Sequence, residues 1–312
     1  MFCIVYILAA KAHHSDAVYD RSAIVAFEAT VLRYEFSNPH VMLFVRTESE
    51  NGQTIEWEIE TGSTPIMIRS GWSQDLLTAG DTVDIRAHPM RSGEHKAILA
   101  TLRTSDGRNW SQIEGEPTAT ARATSLAGVW QGEALTSLER QLRAHPLTPA
   151  GEAARRSYDA IADAPTARCI AMPPPFLNTS TNYLTGIEML TDRIILRNEF
   201  FDMQRTVYMD GRSHPEDAER TNLGHSIGWW EDDVLVVDTT ALADHRAGNG
   251  RAGIPSGAQK HVIERFSLSD DGSRAIVDVF IEDPEFLAEP FVGQTTMVYS
   301  PQLQLYSYDC KL

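Results

Sequence analysis

The stretch His225-Ser226-Ile227-Gly228-Trp229-Trp230-Glu231-Asp232-Asp233-Val234-Leu235-Val236-Val237-Asp238-Thr239 reads as a β-hairpin. Two runs rich in β-branched and aromatic residues, 225–231 and 233–239, meet at an acidic turn too short to hold a helix. The same pattern recurs on both sides, with runs at 183–190, 193–199, 203–209, 260–268, 274–281, 293–300 and 304–310. Asp210-Gly211 and Asp270-Asp271-Gly272 supply further tight turns. Eight or nine antiparallel strands in succession predict a closed barrel, because closure removes the edges that an open sheet would expose. A barrel of that size can hold a small ligand in its mouth. The segment 241–258, with five glycines or prolines, then reads as a flap over that mouth.

Upstream, Leu126-Ala127-Gly128-Val129-Trp130 opens this second unit, which spans 126–312. Its Gly128-x-Trp130 is similar to the start of calycin/lipocalin-like barrels. Thr148-Pro149 starts a helix expected to run to about Ala162, and Pro173-Pro174-Pro175 marks rigid extended chain. Residues 106–125 are polar and read as a linker. Before them, 13–105 reads as a small barrel. Strand-like runs at Ile24 to Glu35, His40 to Thr47 and Gln53 to Glu60 are broken by Ser37-Asn38-Pro39 and by Glu50-Asn51-Gly52. In the third run Ile55, Trp57 and Ile59 alternate with Glu56, Glu58 and Glu60, placing three glutamates on the outer face. Ser63-Thr64-Pro65 caps a helix that Gly71 stops, and strands at Thr82 to Ala87 and Ala97 to Thr104 follow the turn Leu77-Thr78-Ala79-Gly80-Asp81. The order β-β-β-α-β-β is that of a five-stranded OB-like barrel. The fold class is therefore mainly β, in two units.

Length and composition agree. A chain of 312 residues exceeds what one hydrophobic core usually serves, and 42% hydrophobic with 22% charged residues is a globular balance. The net charge of −16 argues against nucleic acid and against an anionic membrane surface, both of which attract clustered Lys and Arg. Phe2 to Ala10 form a short apolar run before Ala10-Lys11-Ala12, a small-x-small cleavage pattern, so residues 1–12 read as a signal peptide; the competing reading is a buried N-terminal strand. No later run is apolar enough for a transmembrane helix, so a soluble, periplasmic or secreted protein is expected, without membrane insertion. Outside that leader, Cys169 and Cys310 read as one disulfide closing a loop of about 140 residues and worth a few kcal/mol, against two unpaired buried thiols.

Several strings resemble an uncharacterised secreted bacterial family, known only as a domain of unknown function. They are Ala12-His13-His14-Ser15, Ser37-Asn38-Pro39-His40 and Leu77-Thr78-Ala79-Gly80-Asp81. The second half resembles an equally uncharacterised companion module through Met209-Asp210-Gly211-Arg212-Ser213-His214-Pro215, the hairpin 228–239 and His261-Val262-Ile263-Glu264-Arg265-Phe266. The resemblance implies export and architecture and no established chemistry. Family members run on past a Tyr-x-Cys-His-Glu-type ending, whereas this chain stops at Cys310-Lys311-Leu312.

Three constellations could carry chemistry. The first comes from alternation. On 260–268, Val262, Glu264, Phe266 and Leu268 share a face, and on 203–209 so do Met203, Arg205, Val207 and Met209. Each otherwise apolar face carries one charge, so Glu264 and Arg205 are expected either as a buried ion pair that fixes register or as the lining of a pocket that binds or deprotonates a ligand. Asp278, between Ile276 and Phe280, is a third inward candidate. The second constellation is the expected rim. Asp210, Arg212 and His214 share one turn, His225, Trp229 and Glu231 share a strand face, and Asp238 and His261 follow on the next strands. A histidine beside carboxylates can act as a general base. The third is N-terminal: His13 and His14 at a processed terminus, with His40, offer nitrogen ligands suited to copper or zinc.

There is no phosphate loop, nucleophile elbow, His-Glu-x-x-His or Cys-x-x-Cys, which disfavours nucleotide-dependent, serine-elbow and zincin chemistry. The leading expectation is an exported barrel that binds a small, partly apolar molecule. If it turns a substrate over, the expected chemistry is acid–base without a cofactor: a lyase, isomerase or hydrolase. The alternatives are a periplasmic copper- or zinc-binding protein and a non-catalytic interaction module.

Overall fold

The computed structural model describes residues 18–310 other than 50, 113–114, 135–136, 160–161, 177–181 and 251. The expected leader over 1–12 and the candidate ligands His13 and His14 lie outside the described residues. The rest is mainly β and forms two closed barrels. In the first, β1 (Val25–Glu35), β2 (Met42–Glu48), β3 (Thr54–Glu60), β4 (Thr82–Pro89) and β5 (Lys96–Thr104) lie in the order β3-β2-β1-β4-β5. A parallel pairing of Glu58 to Glu60 with Lys96 to Ile98 closes the ring. Val31, Val45, Ile59, Ile85 and Leu102 fill it, and Met67 of α1 (Thr64–Arg69) packs onto them.

Three local expectations change here. Ser63 supplies no side-chain cap to α1. Asn38 does so across the fold, its Oδ1 accepting the Thr64 N–H at 2.8 Å and its Nδ2 donating to Thr64 Oγ1 at 2.7 Å. Glu60 does not face water, because the Tyr19 hydroxyl donates to its Oε2 at 2.7 Å and His40 Nδ1 lies 2.6 Å from its Oε1. The expected linker begins as a short strand, β6 (Asn109–Trp110), paired to β5.

The second barrel contains β7 (Gly128–Gly132), β8 (Leu184–Met189), β9 (Arg193–Asn198), β10 (Met203–Tyr208), β11 (His225–Glu231), β12 (Val234–Thr240), β13 (His261–Leu268), β14 (Arg274–Glu282) and β15 (Phe291–Tyr299). β7 closes the circuit between β15 and β8, with Trp130 fully buried and donating from Nε1 to Leu126 O at 2.9 Å. Nine strands cannot close through antiparallel pairs alone. Direction reverses at each such pair, so one full turn needs an even number of them. The compensating pair is β10 with β11, which are parallel at Val207–Ser226 and Tyr208–Ile227. The connection 209–224 is therefore a crossover rather than a hairpin.

Thr148 caps the helix Pro149–Arg156 by accepting the Gly151 N–H at 3.1 Å. The helix stops short of Ala162 because Tyr158 turns in beneath the Arg246 guanidinium and against Gly253, where a Cβ would lie 2.1 Å from the tyrosine Cγ. That contact ties the helix to segment 241–258. Leu242 and Ile254 of this segment join the barrel core, so it closes one end of the barrel as a packed part of it.

The ninth run in the sequence, 304–310, is not a strand. Its amides are held by carboxylates instead of a neighbouring strand: Tyr306 N–H by Glu199, and Tyr308 and Asp309 N–H by Asp202, each at 2.8 Å. Tyr308 inserts between the barrels with Tyr183, Phe200 and Ile66, and the Cys169–Cys310 disulfide ties down the segment's end. Glu199 also pairs with Arg69 of α1 at 2.6 Å. Asp202 adopts a left-handed backbone (φ 52), which asparagine tolerates, so Asp202→Asn isolates the loss of one acceptor. We expect it to cost about 1 kcal/mol and to speed hydrogen exchange at Tyr308 and Asp309, measured by mass spectrometry.

Candidate functional site

Alternation on β13 sorts the expected site residues into an inner and an outer set. Val262, Glu264 and Phe266 are buried within the barrel, and His261, Ile263 and Arg265 face out. Register extends this to the neighbouring strands, where Glu264 stands opposite Val237 on β12 and Val279 on β14. Asp238 and Asp278, each one residue off, therefore face outward. For Asp278 this corrects the expectation. Ala275, Val277, Val279 and Ile281 form the buried face of β14, whereas Ile276 and Phe280 share the outer face with Arg274, Asp278 and Glu282, and the Asp278 carboxylate lies exposed, accepting from Gln294 Nε2 at 2.7 Å.

Inside, Arg205 and Glu264 meet at 2.5 Å, both side chains almost wholly shielded. Arg205 also donates from Nε to Ser226 Oγ at 2.9 Å and from Nη2 to Thr239 Oγ1 at 2.6 Å, and those two hydroxyls lie 3.0 Å apart. Two of the guanidinium nitrogens thus have hydroxyl acceptors, while Arg205 Nη1 and Glu264 Oε2 meet only as an ion pair and Glu264 Oε1 has no hydrogen-bond partner among the described residues.

One side chain that this reading of the strands passed over lies nearby. Lys260 precedes Val262 by two residues and continues the inward face; it is 1% exposed. Its Nζ donates to Gly248 O at 2.7 Å and lies 5.4 Å from the centre of the Phe176 ring. No carboxylate among the described residues comes within ion-pair distance of it. Burial pushes the Lys260 ammonium down to about 7, with Asp283 and Glu264 pulling the other way. Burial, then the charge of Lys260, pushes His245 down to about 4. Burial raises Asp283 against the Asn249 and Gly257 hydrogen bonds that its Oδ2 accepts at 2.6 and 3.1 Å. Around Lys260, four buried polar atoms make no hydrogen bond among the described residues: Glu264 Oε1, Asp283 Oδ1, Asn249 Oδ1 and Ser256 Oγ. Such atoms are rare in folded proteins, and each costs on the order of 1–3 kcal/mol when left unmatched.

Lys260 and Asp283 were accessible to the alternation argument, the latter two residues beyond the inward Ile281. His245, Asn249 and Ser256 were not, because they sit on an aperiodic segment whose only signal was its glycine and proline content.

The expected rim is corrected in place. Because Ser226 points inward to Arg205, His225 must point outward, and with it the whole histidine set lies on the outer wall. The crossover brings His214 Nδ1 to 2.8 Å from His225 Nδ1, and His214 Nε2 lies 3.3 Å from Asp238 Oδ1. His261 Nε2 approaches the same oxygen at 2.7 Å. Asp210 is held near 2, first by its hydrogen bond from Arg212, whose guanidinium stacks over Tyr208. Trp229 Nε1 donates to Glu231 at 2.9 Å, and Glu231 pairs with Arg265 at 2.6 Å; these are surface contacts. Among the described residues no three His, Cys, Asp or Glu side chains are arranged to hold a metal ion. His40 is engaged by Glu60.

On this wall the Asp238 hydrogen bond raises His261, while burial and the neighbouring His214 lower His225. The His261 contribution to stability is present below the ordinary imidazole value and lost as pH rises through the raised one. Asp238→Asn is expected to return His261 toward that ordinary value, read from ring-proton shifts in an NMR pH titration.

Residues 3–100 match a family of unknown function (DUF6152). The match covers the first barrel and carries no activity to it. No curated protein matches the chain. No helix among the described residues is long and apolar enough to cross a membrane.

Proposed function

We propose that the second barrel binds a small, partly apolar molecule at the closed end formed by 241–258, in contact with Glu264, Lys260 and Asp283. The observation that carries this reading is the group of four unmatched polar atoms around Lys260, each on a side chain at least nine-tenths buried. A core that served stability alone would be expected to use apolar side chains there, since a half-satisfied polar network is less favourable than none. The apolar neighbours Phe176, Val262 and Ile281 suit a ligand with one polar end. The groups present, the Lys260 amine and the Asp283 carboxyl, both shifted toward neutrality, are those of acid–base chemistry, consistent with a lyase, isomerase or hydrolase without a cofactor. The Cys169–Cys310 disulfide supports an exported location, because such bonds persist in oxidising compartments.

Native mass spectrometry against a panel of small alcohols, carboxylic acids and carbonyl compounds tests the reading. Retention by the wild type and loss in a folded Glu264→Gln variant is the expected result. If Glu264→Gln unfolds, or if nothing in the panel is retained, Arg205–Glu264 is a structural pair alone.

A further inference from the structure

Four lysines occur in the sequence, Lys11, Lys96, Lys260 and Lys311. Lys96 lies at the surface between Glu58 and Glu94, at 3.7 and 3.4 Å, as a solvated ammonium does. Lys260 is the opposite case. It is fully enclosed, has one backbone carbonyl as its hydrogen-bond acceptor, and shares its surroundings with Asp283, Glu264 and His245. An arginine at this position would always be charged, whereas a lysine can shed its proton and offer a lone pair.

From this geometry we infer that Lys260 is a nucleophilic amine that condenses with an aldehyde or ketone, making the ligand class of the barrel a small carbonyl compound. The inference rests on the reading of the closed end as a binding site. The Nζ lone pair forms a bond to the carbonyl carbon while the C=O π pair moves to oxygen, which takes up a proton. The nitrogen then loses one proton to give the carbinolamine; its lone pair forms C=N as the hydroxyl takes up a second proton and leaves as water, and the iminium nitrogen sheds its remaining proton. One carbonyl compound and one amine give one imine and one water, with no oxidant or reductant. Asp283 suits the proton steps: burial favours its neutral acid, its Oδ1 has no partner among the described residues, and it interacts electrostatically with Lys260. Glu264, two residues along the same inward face, is the second carboxyl within the electrostatic reach of Lys260.

The test incubates the full chain at pH 7 with butanal or benzaldehyde and sodium cyanoborohydride, which fixes imines as secondary amines, then maps adducts by peptide mass. A lysine titrating near 7 has on the order of a thousandfold more free amine at that pH than an ordinary one, so labelling of Lys260 should exceed that of Lys96 by at least about tenfold. The adduct should vanish in Lys260→Met, with folding checked by circular dichroism. Equal or greater labelling at Lys96, or no adduct at Lys260 with either probe, overturns the inference. The same probes without reductant, followed by native mass spectrometry, separate the two readings. Non-covalent retention without an adduct refutes the imine and leaves the binding site; neither retention nor adduct refutes both.

Discussion

Arg205→Met is expected to lower the free energy of unfolding by about 3–5 kcal/mol, because it leaves the Glu264 carboxylate buried without its counter-charge. The double variant Arg205→Met/Glu264→Leu is expected to recover most of that loss. Ser226 and Thr239 keep each other as partners at 3.0 Å, and the two new side chains extend an apolar interior formed by Val207, Val237 and Val279. The two variants separate what the pair does for the fold from what it does for a ligand. Urea unfolding with an unchanged slope measures the first, and retention of the small-molecule panel measures the second. Recovered stability with lost binding is the outcome expected of a site. An Arg205→Met variant as stable as the wild type would mean that the guanidinium reaches water.

The second large effect belongs to Lys260. Its folded value of about 7 lies below the ordinary 10.5. Between those two values the unfolded chain holds a proton that the folded chain does not, so stability rises with pH across that window. Below pH of about 7 both states are protonated, and the full penalty of the buried charge is felt. Relative to Lys260→Met, the wild type should gain on the order of 4 kcal/mol between pH 7 and 10. The variant serves as the reference because tyrosines and other lysines titrate in the same range and cancel in the difference. His245 acts in the same sense at lower pH: its value of about 4 means that stability is lost as pH falls from the ordinary imidazole range toward 4. Parallel unfolding curves at several pH values would show both effects. A wild type and Lys260→Met variant with the same pH dependence would place the amine in solvent.

The barrels could be read from the sequence because turns and β-branched runs are local signals. The hairpin expected around Glu231-Asp232-Asp233 forms, with Glu231 opposite Val234. The inward pair Arg205–Glu264 was legible because a charge interrupts an apolar face whose partner face is polar. For Asp278 the flanking Ile276 and Phe280 suggest an inward face, but the other face of β14, Ala275, Val277, Val279 and Ile281, is apolar throughout and is the buried one. The run at 304–310 was taken for a strand from its composition, but what decides its state is a set of carboxylates more than a hundred residues away in sequence, at Glu199 and Asp202. The outward direction of His225 likewise depends on a long-range contact, the Arg205 hydrogen bond to Ser226. The crossover 209–224 follows from strand parity, which is a property of the closed ring and not of any one strand.

The second barrel encloses ionisable side chains away from water beside Lys260. With four lysines in the chain, a 13Cε-lysine NMR titration reads the state of that amine. One resonance, identified by its absence in Lys260→Met, should titrate near pH 7. If that resonance titrates instead in the ordinary lysine range of about 10.4, Lys260 is solvated and the enclosed site does not exist.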